Sequence, residues 1–163
     1  MATDLLTAAT TIQASAEAIF AMLADPKTHA AINGTGRVVA PVDTDPITAS
    51  GRVFRMAMYH PNHPNGNYEI HNQVTVFEPP RAIGWKPGYD TGDGSLGFGG
   101  WTWRYDLVPL GPAATEVTLT YDWSAVPDAV REHVGFPPFA PDPPFSAADL
   151  SQSLAHLAEL VAS

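Results

Sequence analysis

The residues with the clearest potential for chemistry are polar side chains that fall among large apolar ones in the middle of the chain. Asn72, Tyr68, Tyr105 and Tyr121 each occupy an apolar position of an alternating pattern. An amide donates and accepts hydrogen bonds, and a phenol does either. Because a buried polar group without a partner costs about 1–3 kcal/mol, these groups need one another, water or a bound molecule. The pattern indicates a site that orients the polar end of a small molecule.

Two other motifs point to chemistry only weakly. Residues 92–97 read G-x-G-x-x-G, but no helix pattern follows them, so the phosphate-binding helix end of a nucleotide site is missing. His60 and His63 lie in an Asn-Pro-Gly setting that predicts a turn, and His71 falls on the predicted outer face of a strand. Structural zinc needs four ligands and catalytic zinc three. We predict neither a cofactor nor a metal.

Composition excludes several classes of partner. The 163 residues carry 8 Lys and Arg against 17 Asp and Glu, a formal charge of −9, and no Cys. An acidic chain without a basic cluster is a poor match for nucleic acid or an anionic membrane surface. The sequence shows neither a signal peptide nor an apolar run of about 20 residues that could span a bilayer. We expect a single domain over residues 1–163, soluble and cytoplasmic, as a monomer or homodimer.

The hydrophobic periodicity divides the chain into three parts. A helix-period stripe follows Ser15, and Asp25-Pro26 begins a second short helix. From residue 38 to residue 124 the period changes to two, which is typical of antiparallel strands with one wet and one buried face. Leu150, Leu154, Leu157 and Val161 then predict a terminal helix of about four turns. Because no helix separates the strands, the fold class is α+β, with about seven strands curved around the last helix.

The predicted inner face of this sheet is bulky and aromatic, and all four tryptophans fall on it, Trp123 among them. Val74 and Val76 share this face in the fourth strand, and the charged residues Arg55, Glu69 and Arg104 alternate onto the outer face. One helix edge of Leu and Val cannot readily cover so much ring surface, so we expect a cavity. The predicted ligand-binding residues are Met56, Met58, Tyr68, Ile70, Asn72, Trp85, Trp101, Trp103, Tyr105, Tyr121, Leu154 and Leu157.

The chain resembles the polyketide cyclase/dehydrase-like branch of the START/Bet v 1-like (SRPBCC) superfamily. The resemblance runs through 12–20, Asp25-Pro26 with His29, 33–36, Phe77-Glu78-Pro79-Pro80-Arg81, Ile83-Gly84-Trp85, 115–119 and 122–124, and it ends in the Leu-rich helix. It implies a helix-grip fold with a hydrophobic tunnel between the terminal helix and the sheet. Relatives bind lipids, sterols, polyketides or plant metabolites, and only some are enzymes.

Three functions remain open at this stage. The first is binding of a small hydrophobic molecule, such as an aromatic polyketide, sterol or lipid, in the tunnel. The second is a polyketide cyclase or dehydratase in which Tyr68, Tyr121 and Asn72 polarise carbonyl groups, although the pattern places no acidic residue or His on the inner face to move a proton. The third is an interaction module similar to the Hsp90 activators, supported by Phe136-Pro137-Pro138-Phe139.

Overall fold

Eight strands and three α-helices occupy the part of the chain that a computed structural model describes. The described residues are 5–32, 38–59, 67–90, 93, 95–98, 100–125 and 147–162. The elements follow in the order β1 (Leu5–Ile12), α1 (Ala16–Leu23), a 3₁₀ turn (Pro26–Thr28), α2 (His29–Ile32), β2 (Val38–Pro41), β3 (Val53–Tyr59), β4 (Asn67–Glu78), β5 (Ala82–Asp90), β6 (Leu96–Phe98), β7 (Thr102–Gly111), β8 (Ala114–Asp122) and α3 (Ala147–Ala162).

The strands form one antiparallel sheet in the order β1-β8-β7-β5-β4-β3-β2. The short strand β6 pairs with residues 88–90 of β5, and β7 pairs with residues 82–85 of the same strand. Both therefore lie along one edge of β5. The sequence predicts a loop over the Gly-rich stretch that includes 96–98, and that prediction is wrong at Leu96, Gly97 and Phe98, where backbone pairing with β5 forms a strand.

The helices begin where the sequence places their caps. The Ser15 hydroxyl accepts a hydrogen bond from the Ala18 N–H at 3.2 Å, and the buried residues Ile19 and Leu23 face the sheet. Asp25 caps the following 3₁₀ turn by accepting from the Lys27 N–H at 3.0 Å. These caps fix the direction in which the chain leaves α1 and enters α2.

The C-terminal helix α3 buries one apolar edge against the sheet. Leu150, Leu154 and Leu157 are buried, and α3 contacts β1, β8, α1 and α2. His156 also ties α3 to α2, because its Nδ1 lies 3.1 Å from the carbonyl oxygen of Ile32. The α+β helix-grip architecture predicted from the sequence is confirmed.

A β-bulge changes which residues of β4 face the core. The register between β4 and β5 shifts between Val74 and Val76, so that Val76 lies opposite Gly84 and Phe77 lies opposite the buried Ile83. Phe77 consequently packs edge-on against Phe20, with ring centroids 5.4 Å apart. The prediction that Val76 shares the inner face is wrong, since an extra residue reverses the alternation after Val74.

Gly84 lies at a close approach between β5 and β7. A Cβ at this position would be 2.8 Å from the carbonyl oxygen of Trp103. We therefore expect Gly84→Ala to lower the free energy of unfolding by about 1–3 kcal/mol, as overpacking usually does. Gly111→Ala is the matched control, because no atom lies within 4 Å of its Cβ position. Urea unfolding of both variants measures the difference, and equal stability would contradict the close approach.

Candidate ligand-facing site

The structure brings the predicted inner-face residues together on one side of the sheet. Met56, Asn72, Tyr105 and Tyr121 are buried there, as are Leu154 and Leu157 on α3. The other described members are partly buried and pack against the same core: Met58, Ile70, Trp85, Trp101 and Trp103. Tyr68 lies opposite Met58 in the strand register, and its side chain is outside the described part of the chain.

The partly exposed members of this set lie at two levels of the sheet. Met58 and Ile70 lie near the end of β3 and the start of β4, which pair with each other. Trp85 lies near the middle of β5, opposite Val74 on one side and Trp103 on the other. The inner face therefore presents partly exposed apolar side chains at both levels.

Trp85 is the centre of an aromatic cluster. Its ring stacks on the imidazole of His29 with centroids 5.0 Å apart, meets Phe54 edge-on at 5.5 Å and lies 6.1 Å from Tyr105. His29 also meets Phe54 edge-on at 5.3 Å. A second group joins Tyr121 to Trp103 at 4.3 Å and to Trp123 at 5.4 Å. We call the four residues His29, Phe54, Trp85 and Tyr105 the Trp85 cluster.

His29 is a buried polar residue beside this face that the sequence interpretation did not predict there. It is only 8% exposed, and its Nε2 lies 2.9 Å from the carbonyl oxygen of Leu23. Because a carbonyl can only accept, Nε2 carries the proton in this contact. Pro26, His29 and Ile32 are buried at three-residue spacing, but a helical segment this short does not establish an inward side from the sequence.

Burial sets the protonation of His29. Removal from water lowers the pKa of this imidazole, and this effect outweighs the hydrogen bond to Leu23 and the charge of Asp25, which both raise it. The ring is therefore neutral at neutral pH. With Nε2 protonated, its Nδ1 is a hydrogen-bond acceptor, and no donor among the described residues reaches it.

This lowered pKa gives His29 a measurable effect on stability. The unfolded chain takes up a proton at His29 below a pH of about 6.5, whereas the folded chain resists it. The unfolded state then binds more protons, so stability falls as the pH drops from this value toward the lower folded-state pKa. We expect urea unfolding to show a smaller loss between neutral and mildly acidic pH in His29→Gln than in the native protein. An identical pH dependence would contradict the burial of a neutral ring.

Two further buried polar groups accompany His29. Asn72 and Tyr105 are each 6% exposed, and neither side chain hydrogen-bonds to a residue in the described ranges. Burial raises the pKa of the Tyr105 phenol above its ordinary value, so the hydroxyl keeps its proton. Asn72 lies directly across from Phe54 in the strand register, which places it beside the Trp85 cluster. The large majority of buried polar groups in proteins have a hydrogen-bond partner, so water or a bound molecule is expected to supply it here.

The outer face carries the charges that the alternating pattern assigns to it. Arg55 binds Asp43 through two parallel contacts of 2.9 Å, from Nε and Nη2, and lies 3.8 Å from Glu69. The hydrogen bond from Arg55 lowers the pKa of the Asp43 carboxyl. His71 lies 3.5 Å from Glu69 on the same face. These residues join the 43–47 segment to β3 and take no part in the inner face.

A small pocket opens beside this segment. It has a volume of about 120 Å³ and is lined by Asp43, Asp45, Pro46, Ile47, Arg52, Val53 and Phe54. Ligand sites for drug-sized molecules usually have volumes of about 300–1,000 Å³. This pocket is too small for such a molecule, and its acidic rim differs from the aromatic inner face.

The structure describes only some of the residues behind the metal, interaction-module and membrane-span predictions. Within the described ranges, no three His, Asp or Glu side chains are grouped so that they could hold a metal ion. His60, His63 and the segment 136–139 lie outside these ranges, as do Gly92 and Gly94 of the 92–97 motif. No helix in the described part of the chain is long and apolar enough to cross a membrane.

Comparison with known proteins identifies the family. A family model described as "Polyketide cyclase / dehydrase and lipid transport" matches residues 4–162. The chain belongs to this family. Among curated proteins, the uncharacterized protein Rv0088 of Mycobacterium tuberculosis is 27% identical over 148 residues, which cover 91% of this chain and 60% of that protein. The chain thus spans about 60% of the length of the curated relatives that it matches.

Solved structures of low sequence identity share the family's fold. Protein CV1439 from Chromobacterium violaceum superposes with a TM-score of 0.66 at 20% identity, covering 98% of both chains. The Aha1 dimer from Colwellia psychrerythraea superposes with a TM-score of 0.54 at 14% identity, covering 96% of this chain and 95% of that one. At these identities the likeness concerns the fold alone.

Proposed function

We propose that this chain binds a small, mostly apolar molecule between α3 and the inner face of the sheet. The observation that carries the proposal is the pair of buried polar side chains, Asn72 and Tyr105, that lack a hydrogen-bond partner among the described residues. Ligand sites combine an apolar wall with a few polar groups that fix orientation. The Trp85 cluster and its neighbour Asn72 have this composition.

The partly exposed apolar residues support the same proposal. Met58, Ile70, Trp85, Trp101 and Trp103 are only partly buried on the inner face. Covering apolar surface stabilises a complex by about 25 cal/mol per Å². A bound aromatic or alicyclic molecule would cover these side chains, and its polar end would reach Asn72 or Tyr105. Family membership is consistent with this role, because the family's description names lipid transport.

Native mass spectrometry of protein purified without detergent tests the proposal. We expect a non-covalent adduct that disappears under denaturing conditions. Asn72→Leu replaces the amide by an apolar side chain of similar shape, so it should reduce the adduct while the protein still folds. Glu116→Ala on the exposed outer face of β8 should retain it. An absence of adduct, together with no tryptophan quenching by any member of a hydrophobic library, would contradict binding.

A second candidate, a polyketide cyclase or dehydratase, gains support from His29. Cyclisation of a poly-β-ketone requires a group that removes a proton beside a carbonyl, and a positioned neutral imidazole is the commonest such group. His29 has a free acceptor nitrogen among the described residues and stacks on Trp85. This supplies the inward acid–base residue that the sequence pattern does not reveal.

Turnover of a poly-β-ketone mimic distinguishes the enzyme hypothesis from the binding hypothesis. For the enzyme we expect turnover that falls at least about a hundredfold in His29→Phe, since general acid–base catalysis contributes about 10²–10⁴-fold. Tyr68→Phe and Asn72→Ala should slow it as well if these groups polarise carbonyls. If the mimic binds without being converted, the enzyme hypothesis is wrong and ligand binding remains the proposed function.

A further inference from the structure

We infer that the site selects a neutral molecule bearing a hydroxyl group, which donates its hydrogen bond to Nδ1 of His29. This inference rests on the proposed function and adds the chemical class of the ligand. It depends on the hydrogen-bond acceptor that His29 offers to a ligand and on the absence of a buried positive charge among the described residues.

The first step is the direction of the hydrogen bond at His29. The carbonyl of Leu23 holds the proton on Nε2, so Nδ1 presents a lone pair. A lone pair at this position can be satisfied by a hydroxyl or amine donor, and a ketone, ester or ether oxygen cannot satisfy it. The ring is also held in place, because it stacks on Trp85 and meets Phe54 edge-on. The acceptor is therefore in a fixed position when the ligand enters.

The second step is the absence of a positive charge that could receive an anion. Burial keeps His29 neutral at neutral pH. No lysine or arginine in the described ranges is buried; Lys27, Arg52, Arg81 and Arg104 are exposed, and Arg55 and Lys86 are partly exposed. Arg55 is bound to Asp43 on the outer face, and Lys86 lies 4.1 Å from the Phe98 ring centroid. A carboxylate in the Trp85 cluster would lose its hydration without gaining a positive charge to offset that loss.

The third step is the cost of a ligand without a hydroxyl. Such a molecule would cover the Trp85 cluster and leave Nδ1 without a donor. A net hydrogen bond changes affinity by about two- to tenfold. We therefore expect a preference of about two- to tenfold for a hydroxyl over a methyl group of the same shape.

Three probes of similar shape test the inference: 2-naphthol, 2-methylnaphthalene and 2-naphthoate. Titration at neutral pH should show 2-naphthol binding about two- to tenfold more tightly than 2-methylnaphthalene, and 2-naphthoate binding most weakly. His29→Phe keeps a ring against Trp85 but removes the acceptor, so its preference for the hydroxyl should disappear. His71→Gln, which changes a histidine on the outer face, should keep the full preference.

The outcomes distinguish this inference from the proposed function. If 2-naphthol and 2-methylnaphthalene bind equally, or if 2-naphthoate binds most tightly, the inference is overturned and hydrophobic binding stands. If none of the probes binds, the inference is overturned, and the adduct and the hydrophobic library decide the proposed function. A nitrogen-15 NMR spectrum of the native protein provides a second measurement that needs no variant. Nε2 should carry the proton, and the Nδ1 resonance should move when 2-naphthol is added; a proton on Nδ1, or an unchanged resonance, overturns the inference.

Discussion

Replacing Leu157 by alanine is expected to lower the free energy of unfolding by about 3–5 kcal/mol, the upper part of the range for a buried leucine. Leu157 is completely buried on the edge of α3 that faces the sheet. Its removal deletes apolar contacts and leaves a cavity that a helix held between the sheet and α1 cannot easily close. This is the largest single-residue effect that we expect, because α3 closes the core on this side of the sheet.

Glu159→Ala provides the matched control on the same helix. Its side chain is exposed, and such substitutions usually change stability by less than about 0.5 kcal/mol. Urea unfolding at neutral pH gives both values. If Leu157→Ala cost no more than Glu159→Ala, α3 would not be packed against the sheet, and the helix-grip description would fail.

The second large effect is expected at Trp85. Trp85→Ala removes the ring that contacts His29, Phe54 and Tyr105 together. We expect a loss of about 3 kcal/mol in the free energy of unfolding, the lower end for a tryptophan because this ring is partly exposed. The neighbouring Lys86→Ala should cost less than about 1 kcal/mol, since it removes only a surface contact with the Phe98 ring.

A titration of His29 provides an independent measurement of the same change. Trp85 helps to exclude water from the imidazole, and burial is the main reason why the pKa of His29 is lowered. In Trp85→Ala this pKa should therefore rise toward the ordinary value for histidine, while Lys86→Ala should leave it unchanged. NMR of the imidazole protons follows both titrations. An unchanged pKa in Trp85→Ala would show that the ring does not shield His29.

The sequence predicts the faces of the sheet because a two-residue period assigns each side chain to one side. Asn72, Tyr105, Tyr121 and Trp123 are buried as the alternation requires. The prediction fails at Val76, because a bulge adds a residue without leaving a mark in the apolar pattern. Strand β6 was also missed, since three residues between glycines are too few to show a period.

His29 shows where sequence reasoning reaches its limit. The helix α2 has four residues, so a 3.6-residue period cannot establish which side of it faces the core. The burial of His29 depends on Phe54 and Trp85, which lie 25 and 56 positions further along the chain and meet it only after the sheet has formed. The tautomer that makes Nδ1 an acceptor depends on one backbone carbonyl. None of these relations can be read from residue types alone.

Mapping a neutral aromatic probe onto the protein by NMR tests the central claim most directly. The indole N–H groups of Trp85 and Trp103 report on the inner face, and the guanidinium Nε–H groups of Arg55 and Arg104, which are bound to Asp43 and Asp106, report on the outer face. When 2-methylnaphthalene is added, the two indole signals should shift strongly, and the two guanidinium signals should hardly move. Shifts confined to the outer face, or no shift at Trp85 and Trp103 at any soluble concentration, would contradict a ligand site on the inner face of the sheet.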